Sequence, residues 1–134
     1  MKDVIFDDFQ NSVDESLLRH RSILDIMTKL QESQARINRA VAKTVTNCGC
    51  IEIHSTKQQQ PVDNDIDTME DLKNLLNPQV NGELCESCRG VIENEIGNNL
   101  FYLTSLCNLL DLNLYDIFLK EYDKISTLGK YSLR

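Results

Sequence analysis

The sequence is poor in several residue types on which particular classes of protein depend. It has no tryptophan, two prolines, five glycines and two histidines. Two histidines leave few candidates for a catalytic triad or a histidine-rich metal site. The longest apolar run is far shorter than the roughly 20 residues that cross a bilayer, and the N-terminus lacks the apolar stretch of a signal peptide. We therefore expect a soluble, cytoplasmic protein with no membrane partner.

Positive charge is also scarce. The chain has 14 Lys and Arg residues against 21 Asp and Glu residues, which gives a formal net charge of −7. Binding to a nucleic-acid backbone needs a cationic surface that displaces counterions, so no nucleic-acid partner is expected. With 134 residues, of which 41% are hydrophobic, the chain is predicted to form one globular domain over residues 1–134.

Helices are predicted along most of the chain. Ser12 and Glu15 match the capping box S-x-x-E, and from there to about Thr46 no proline or glycine interrupts a stripe of apolar residues. We therefore predict one long helix over this stretch. The acidic segment 1–11 is predicted either to dock on the body or to fray, and residues 47–67 are predicted to form a surface loop.

The second half of the chain is predicted to be helical too. The predicted segments are Thr68–Leu76, a region from Asn81 to about Leu110 interrupted at Gly90 and Gly97, and a last helix from Leu114 to about Thr127. Asn113 is a suitable N-cap for that last helix. Together these segments predict an all-α, antiparallel bundle of four to five helices.

The five cysteines lie at positions 48, 50, 85, 88 and 107. An odd number, with no secretion signal, argues against a disulfide framework. Cys48 and Cys50 form a CxC pair and Cys85 and Cys88 a CxxC pair, and four thiolates suit tetrahedral Zn²⁺. The alternative is that they are small, reduced, buried residues. Cys107 lies on an apolar stripe and is predicted to belong to the core.

Acidic and amide side chains also suggest a metal site. Glu83 and Glu86 are three residues apart, as are Glu95 and Asn98, and residues three apart share one face of a helix. A chain reversal at Gly90 would bring the two pairs together. Four oxygen ligands would then suit Mg²⁺ or Mn²⁺, which can clamp a polyphosphate and activate water. The alternative is that these acidic pairs form a solvated helix face.

The stretch "GELCESCRG", followed by "ENEIGNNLFYLTSLCNLLDLNL", resembles the MazG-like all-α nucleoside triphosphate pyrophosphohydrolases. In that family an ExxE motif on one helix and an ExxD motif on the next bind Mg²⁺. The resemblance covers about residues 81–123. It implies that Glu83 and Glu86 are metal ligands that also serve catalysis, and that Glu95 and Asn98 complete the metal site.

The resemblance also implies a function and an assembly. A MazG-like enzyme hydrolyses a nucleoside triphosphate to monophosphate and pyrophosphate, and such proteins form homodimers or homotetramers. The family's second-motif Asp is Asn98 here, which removes a charge and predicts weaker Mg²⁺ binding. A rival alignment of the first motif retains only Glu32, with Ala35 at the second glutamate position. The alternative function is a non-catalytic interaction or regulatory module on the same scaffold, with a structural zinc.

Overall fold

The structure is a computed structural model that describes residues 4–59 and 69–129. It is mostly helical, which confirms the all-α prediction. The elements, in chain order, are α1 (Val4–Ser16), α2 (Ile23–Lys43), a π-helical turn (Thr44–Cys48), β1 (Ile51–Ile53), α3 (Met69–Leu75), β2 (Val80–Gly82), α4 (Glu86–Leu109) and α5 (Leu114–Leu128). Within these ranges no helix combines the length and the apolar character needed to cross a membrane.

The single long helix predicted over residues 12–46 is wrong, because the chain breaks between α1 and α2. The Ser22 side chain accepts a hydrogen bond from a backbone N–H in the first turn of α2. His20 has a φ of 56°, outside the helical range. Arg21 donates to a carbonyl and a carboxylate near the end of α1. Local side-chain hydrogen bonds of this kind compete with helix continuation even where no proline or glycine is present.

The first helix docks on the body. The Gln10 side chain donates to the Leu112 carbonyl at 2.7 Å, which ties α1 to the corner between α4 and α5. The Phe6 ring lies 5.0 Å from the Phe118 ring, measured between centroids. Of the two fates predicted for residues 1–11, docking is therefore correct for the described part of that segment.

Helices α2 and α4 form the central antiparallel pair. Ser33 on α2 accepts a hydrogen bond from the Asn99 side chain on α4 at 3.0 Å, while Cys48 lies beside Cys85 at the other end of the pair. Ser33 lies beside Asn99, whereas the later residue Cys48 lies beside the earlier residue Cys85. The two helices therefore run in opposite directions. Ser33 and Thr104 are both buried. Small buried side chains let the two helix backbones approach closely.

Helix α4 is continuous through Gly90 and Gly97, the two positions predicted to interrupt it. It begins at Glu86 rather than near Asn81, because Cys85 caps its N-terminus. Glycine in a helix interior costs about 1 kcal/mol relative to alanine. Packing along α2 offsets that cost, so the chain does not reverse at Gly90.

A two-stranded antiparallel ribbon joins β1 to β2, with Ile51 opposite Gly82. The predicted surface loop 47–67 therefore contains a strand, and residues 60–67 of that loop lie outside the described residues. Gly82 has a φ of 91°, and a Cβ there would collide with the Cys50 carbonyl oxygen. Only glycine allows this approach. The ribbon therefore holds the chain after Cys50 against the chain that leads into α4.

Helix α5 has the bounds that the sequence predicted. Asn113 is its N-cap, and the Asn113 side chain accepts a hydrogen bond from the Asp116 N–H at 2.9 Å. Asx side chains are among the favoured N-caps because they satisfy an N–H that has no partner in the helix. The start of this helix was therefore readable from the sequence alone.

Candidate metal centre

Four cysteines come together where the end of α2 meets the start of α4. They are Cys48, Cys50, Cys85 and Cys88, and their sulfur atoms all lie within 4.8 Å of one another. In residues 4–59 and 69–129, they are the one group of three or more Cys, His, Asp or Glu side chains whose ligand atoms converge. The CxC and CxxC pairs predicted to approach each other do so.

The first pair is shaped by the π-helical turn and the glycine between the two cysteines. The Gly49 N–H donates to the Thr44 carbonyl at 2.8 Å, which closes the turn. Gly49 has a φ of 80°, a left-handed conformation that glycine adopts at little cost. The chain therefore reverses between Cys48 and Cys50, and both sulfur atoms reach the same cluster.

The second pair is shaped by the start of α4. Cys85 is the N-cap, and the Cys88 N–H donates to the Cys85 sulfur at 3.4 Å. Serine, threonine and aspartate usually fill this position. A sulfur here lies at the positive end of the helix dipole, which favours the thiolate form. Cys85 therefore both caps α4 and presents an anionic ligand.

One sulfur–sulfur separation in the cluster equals that of a tetrahedral metal site. The Cys48 and Cys85 sulfur atoms are 3.8 Å apart. With zinc–sulfur bonds of about 2.3 Å, the sulfur atoms of a tetrahedral site are separated by about 3.8 Å. Cys107 is buried on α4 and lies outside the cluster, which confirms its prediction as a core residue.

The thiols of the CxxC pair differ in acidity. The pKa of Cys85 is lowered to about 7, first because the Cys88 N–H donates to its sulfur and then because the Cys88 side chain does. The pKa of Cys88 is raised to about 12, chiefly by its hydrogen bond to Cys85. Without metal, the CxxC pair therefore carries one proton, with Cys85 as the thiolate and Cys88 as the thiol. Because zinc binds thiolates, its binding displaces that proton and is favoured as the pH rises.

The four side chains of the predicted magnesium site, Glu83, Glu86, Glu95 and Asn98, do not converge as the cysteines do. Glu83 precedes α4 and Glu86 is its first residue, so the two do not share a helix face as predicted. Glu86 and Glu95 are nine residues apart on one continuous helix, which is about 13.5 Å along its axis. Asn98 lies almost one turn beyond Glu95. Without a reversal at Gly90, the two pairs do not face each other.

The rival first-motif residue, Glu32, is already paired on its own helix. Its carboxylate accepts from Arg36 at 3.2 Å and from Lys29 at 3.4 Å. The hydrogen bond from Arg36, followed by that from Lys29, holds the pKa of Glu32 below its ordinary value. Glu95 differs, because its Oε2 atom is buried and has no hydrogen-bond partner.

Sequence reasoning missed a group of basic residues beside the cysteines. Arg36, Arg39 and Lys43 on α2 line a pocket that Glu95 also lines, and two of the four clustered cysteines form part of its wall. The signal was present, because the three basic residues are three and four positions apart and so share one helix face. The pocket itself was not predictable, because its second wall comes from α4.

No protein-family model, curated protein or solved structure matches the chain. Four cysteine sulfur atoms within 4.8 Å of one another suit zinc or iron. A site with four protein ligands has no open position for substrate, which is the usual pattern of a structural metal.

Proposed function

We propose that Cys48, Cys50, Cys85 and Cys88 bind a structural Zn²⁺ that joins the end of α2 to the start of α4. The chain is then a non-catalytic interaction or regulatory module on a MazG-like helical scaffold. The observation that carries this proposal is the 3.8 Å separation of the Cys48 and Cys85 sulfur atoms, one from each pair. All four ligand positions are filled by protein, so the metal holds structure rather than activating water.

The surroundings of the cysteines favour a metal over the alternative of reduced core residues. Reduced cysteines that serve only packing are usually buried among apolar side chains. Cys48 is exposed and its three partners are half-buried, whereas Cys107 is buried. Thiols that are clustered but not sealed in a core contribute little apolar burial. Their convergence is better explained by a shared ligand.

Purified, untagged protein is expected to contain one zinc ion per chain, measured by inductively coupled plasma mass spectrometry. Iron is measured in the same samples, because tetrahedral sulfur sites also hold iron. The Cys88→Ser variant should lose most of the zinc, because a serine hydroxyl is a poor ligand for it. Cys107→Ser makes the same change outside the cluster and should keep it. Metal-free wild-type protein, or equal zinc in both variants, would contradict the proposal.

A second candidate function is the nucleoside triphosphate pyrophosphohydrolase activity implied by the resemblance, with Mg²⁺ at Glu83, Glu86, Glu95 and Asn98. The observation that favours it is the buried Oε2 atom of Glu95, which has no partner in the described structure. A carboxylate oxygen of this kind can serve as a metal ligand. Because Glu86 lies about 13.5 Å from Glu95 along α4, Glu83 and Glu86 would have to reach the ion at Glu95 from a second copy of the chain.

Magnesium- or manganese-dependent release of pyrophosphate from a panel of nucleoside triphosphates tests this second function. The expected activity is weak in the wild type, lost in Glu86→Gln and raised in Asn98→Asp, because the aspartate restores a ligand charge. Zinc content is measured on the same samples to show that the scaffold is intact. Absence of turnover in both the wild type and Asn98→Asp would mean that the resemblance is one of sequence and does not extend to activity.

We also infer that the chain associates with a second copy of itself through α5. No described residue of α5 is buried, although the helix has a pronounced apolar face. Its exposed large hydrophobic residues are Ile117, Phe118, Leu119, Tyr122, Ile125 and Leu128. Contiguous apolar surface of this kind marks an interaction site. A two-fold contact would pair this face with its own copy, in keeping with the homodimer or homotetramer implied by the resemblance.

A further inference from the structure

The pocket between α2 and α4 has the size and position of a small-molecule site. Its volume is about 320 Å³, at the lower end of the range for ligand pockets. It opens beside the cysteine cluster. Its charged lining consists of Arg36, Arg39, Lys43 and Glu95, and its apolar walls include Ala40 and Val91.

The charge of this pocket is opposite to that of the whole chain. Three cations and one carboxylate give the lining a formal charge of +2, while the chain has a net charge of −7. In the described parts of the chain, Arg39 and Lys43 form no ion pair, and Arg36 uses only its Nε atom to bind Glu32. Cations gathered in one pocket repel one another, and an anion between them relieves that repulsion.

Glu95 provides a second, independent observation. Its Oε2 atom is buried and accepts no hydrogen bond, although three basic side chains line the same pocket. Buried carboxylate oxygens are nearly always hydrogen-bonded. An unsatisfied one therefore indicates that a donor is missing. A ligand that carried an ammonium group would supply one, with a charge of the sign that a carboxylate attracts.

We propose that this pocket binds a small phosphate monoester that also carries an amine. Arg39 and Lys43 hold the phosphate, and Glu95 accepts from the ammonium group. Phosphate is favoured over carboxylate because its dianion can pair with two cations, Arg39 and Lys43, whereas a carboxylate carries a single charge. This site goes beyond the structural role proposed for zinc, whose contribution is to hold the two walls together.

The zinc centre would offset part of the positive charge of this pocket. Zinc with four thiolates has a charge of −2, and Cys88 places that charge at one end of the pocket. Glu95 is seven residues further along α4, about 10.5 Å away along the helix axis. Because α2 runs antiparallel to α4, Arg39 lies between the negatively charged zinc centre and the Glu95 carboxylate. Arg39 and Arg36 lie about 6 Å and about 10.5 Å further along α2 from the zinc centre than Lys43 does, so the zinc charge offsets Lys43 most and Arg36 least.

Titration calorimetry of the zinc-loaded full chain tests the proposal with two matched probes, 3-aminopropyl phosphate and propyl phosphate, which differ in the amine. The amine probe is expected to bind about tenfold more tightly to the wild type. In Arg39→Gln both probes should weaken by about tenfold or more. Arg19→Gln removes the same charge from an exposed position outside the pocket and should leave both affinities within about twofold. In Glu95→Gln the preference for the amine should disappear.

Three results would overturn the proposal. The first is no binding of either probe at millimolar concentration by zinc-loaded protein. The second is equal weakening in Arg39→Gln and Arg19→Gln, which indicates a general charge effect. The third is loss of zinc in Arg39→Gln, which would assign the basic residues to the metal centre. Because zinc is measured in every sample, failure of the zinc proposal appears as metal-free wild type and is distinguished from failure of this one.

Discussion

Stripping the metal from the folded chain with a chelator is expected to lower the midpoint of thermal unfolding by about 15 °C. Cys48 and Cys85 are 37 residues apart in the sequence, so a metal between them acts as a cross-link that closes a long loop. Cross-links that close loops of this length contribute about 4 kcal/mol. In a chain of this size, each kcal/mol moves the midpoint by about 4 °C. Circular dichroism during heating, with and without chelator, measures the difference.

The matched control is the same chelator on the Cys88→Ser variant. That variant should unfold at about the midpoint of the stripped wild type, and the chelator should not lower it further. Restoring zinc to the stripped wild type should restore its midpoint, since the four ligands remain. A wild-type midpoint that does not respond to the chelator would show that the cysteines do not hold a stabilising metal.

Replacing Ile125 with glutamate is expected to convert a dimer to a single chain. Ile125 is 55% exposed on α5, at the centre of the apolar face that we infer to contact a second copy. In a two-fold contact the substitution places two carboxylates in the interface, and burial of an unpaired charge there is strongly unfavourable. We expect the dissociation constant to rise by about a hundredfold or more. Multi-angle light scattering coupled to size-exclusion chromatography gives the mass directly.

Lys120→Glu is the control for this substitution. It introduces the same residue into the same helix, on the side opposite Ile125, and should leave the mass unchanged. Circular dichroism of both variants shows whether the helices are retained. A wild-type protein that runs at the mass of one chain, 15.4 kDa, at high concentration would rule out self-association through α5.

The start of α5 was predictable from the sequence, whereas the break before α2 and the continuity of α4 were mispredicted. Asn113 caps α5 as expected, because an N-cap acts within one turn. The break before α2 depends on Ser22 and on the left-handed His20, neither of which disturbs the apolar spacing of the sequence. Gly90 illustrates the opposite error. Its weak helix propensity predicted an interruption of the helix, but contact between α2 and α4 outweighs a cost of about 1 kcal/mol.

The cysteine site and the oxygen site depended to different degrees on the tertiary structure. The cysteine pairs are each local, so one antiparallel contact between α2 and α4 is enough to bring them together. The oxygen site needed a particular turn at Gly90. Without that turn, Glu86, Glu95 and Asn98 are spread along α4 and Glu83 lies before it. The pocket lined by Arg39 and Glu95 depends on both helices at once, so no local spacing could have revealed it.

The distance in sequence between Cys50 and Cys85 also sets an order of events during synthesis. Chains grow at roughly 5–20 residues per second, so the first cysteine pair exists for several seconds before the second is made. Two thiolates alone fill only half of a tetrahedral site. Under the zinc proposal, the nascent chain would hold the ion firmly only after α4 has begun to form against α2. Binding of the proposed zinc would therefore follow contact between α2 and α4. It would be a late step of folding and not the first.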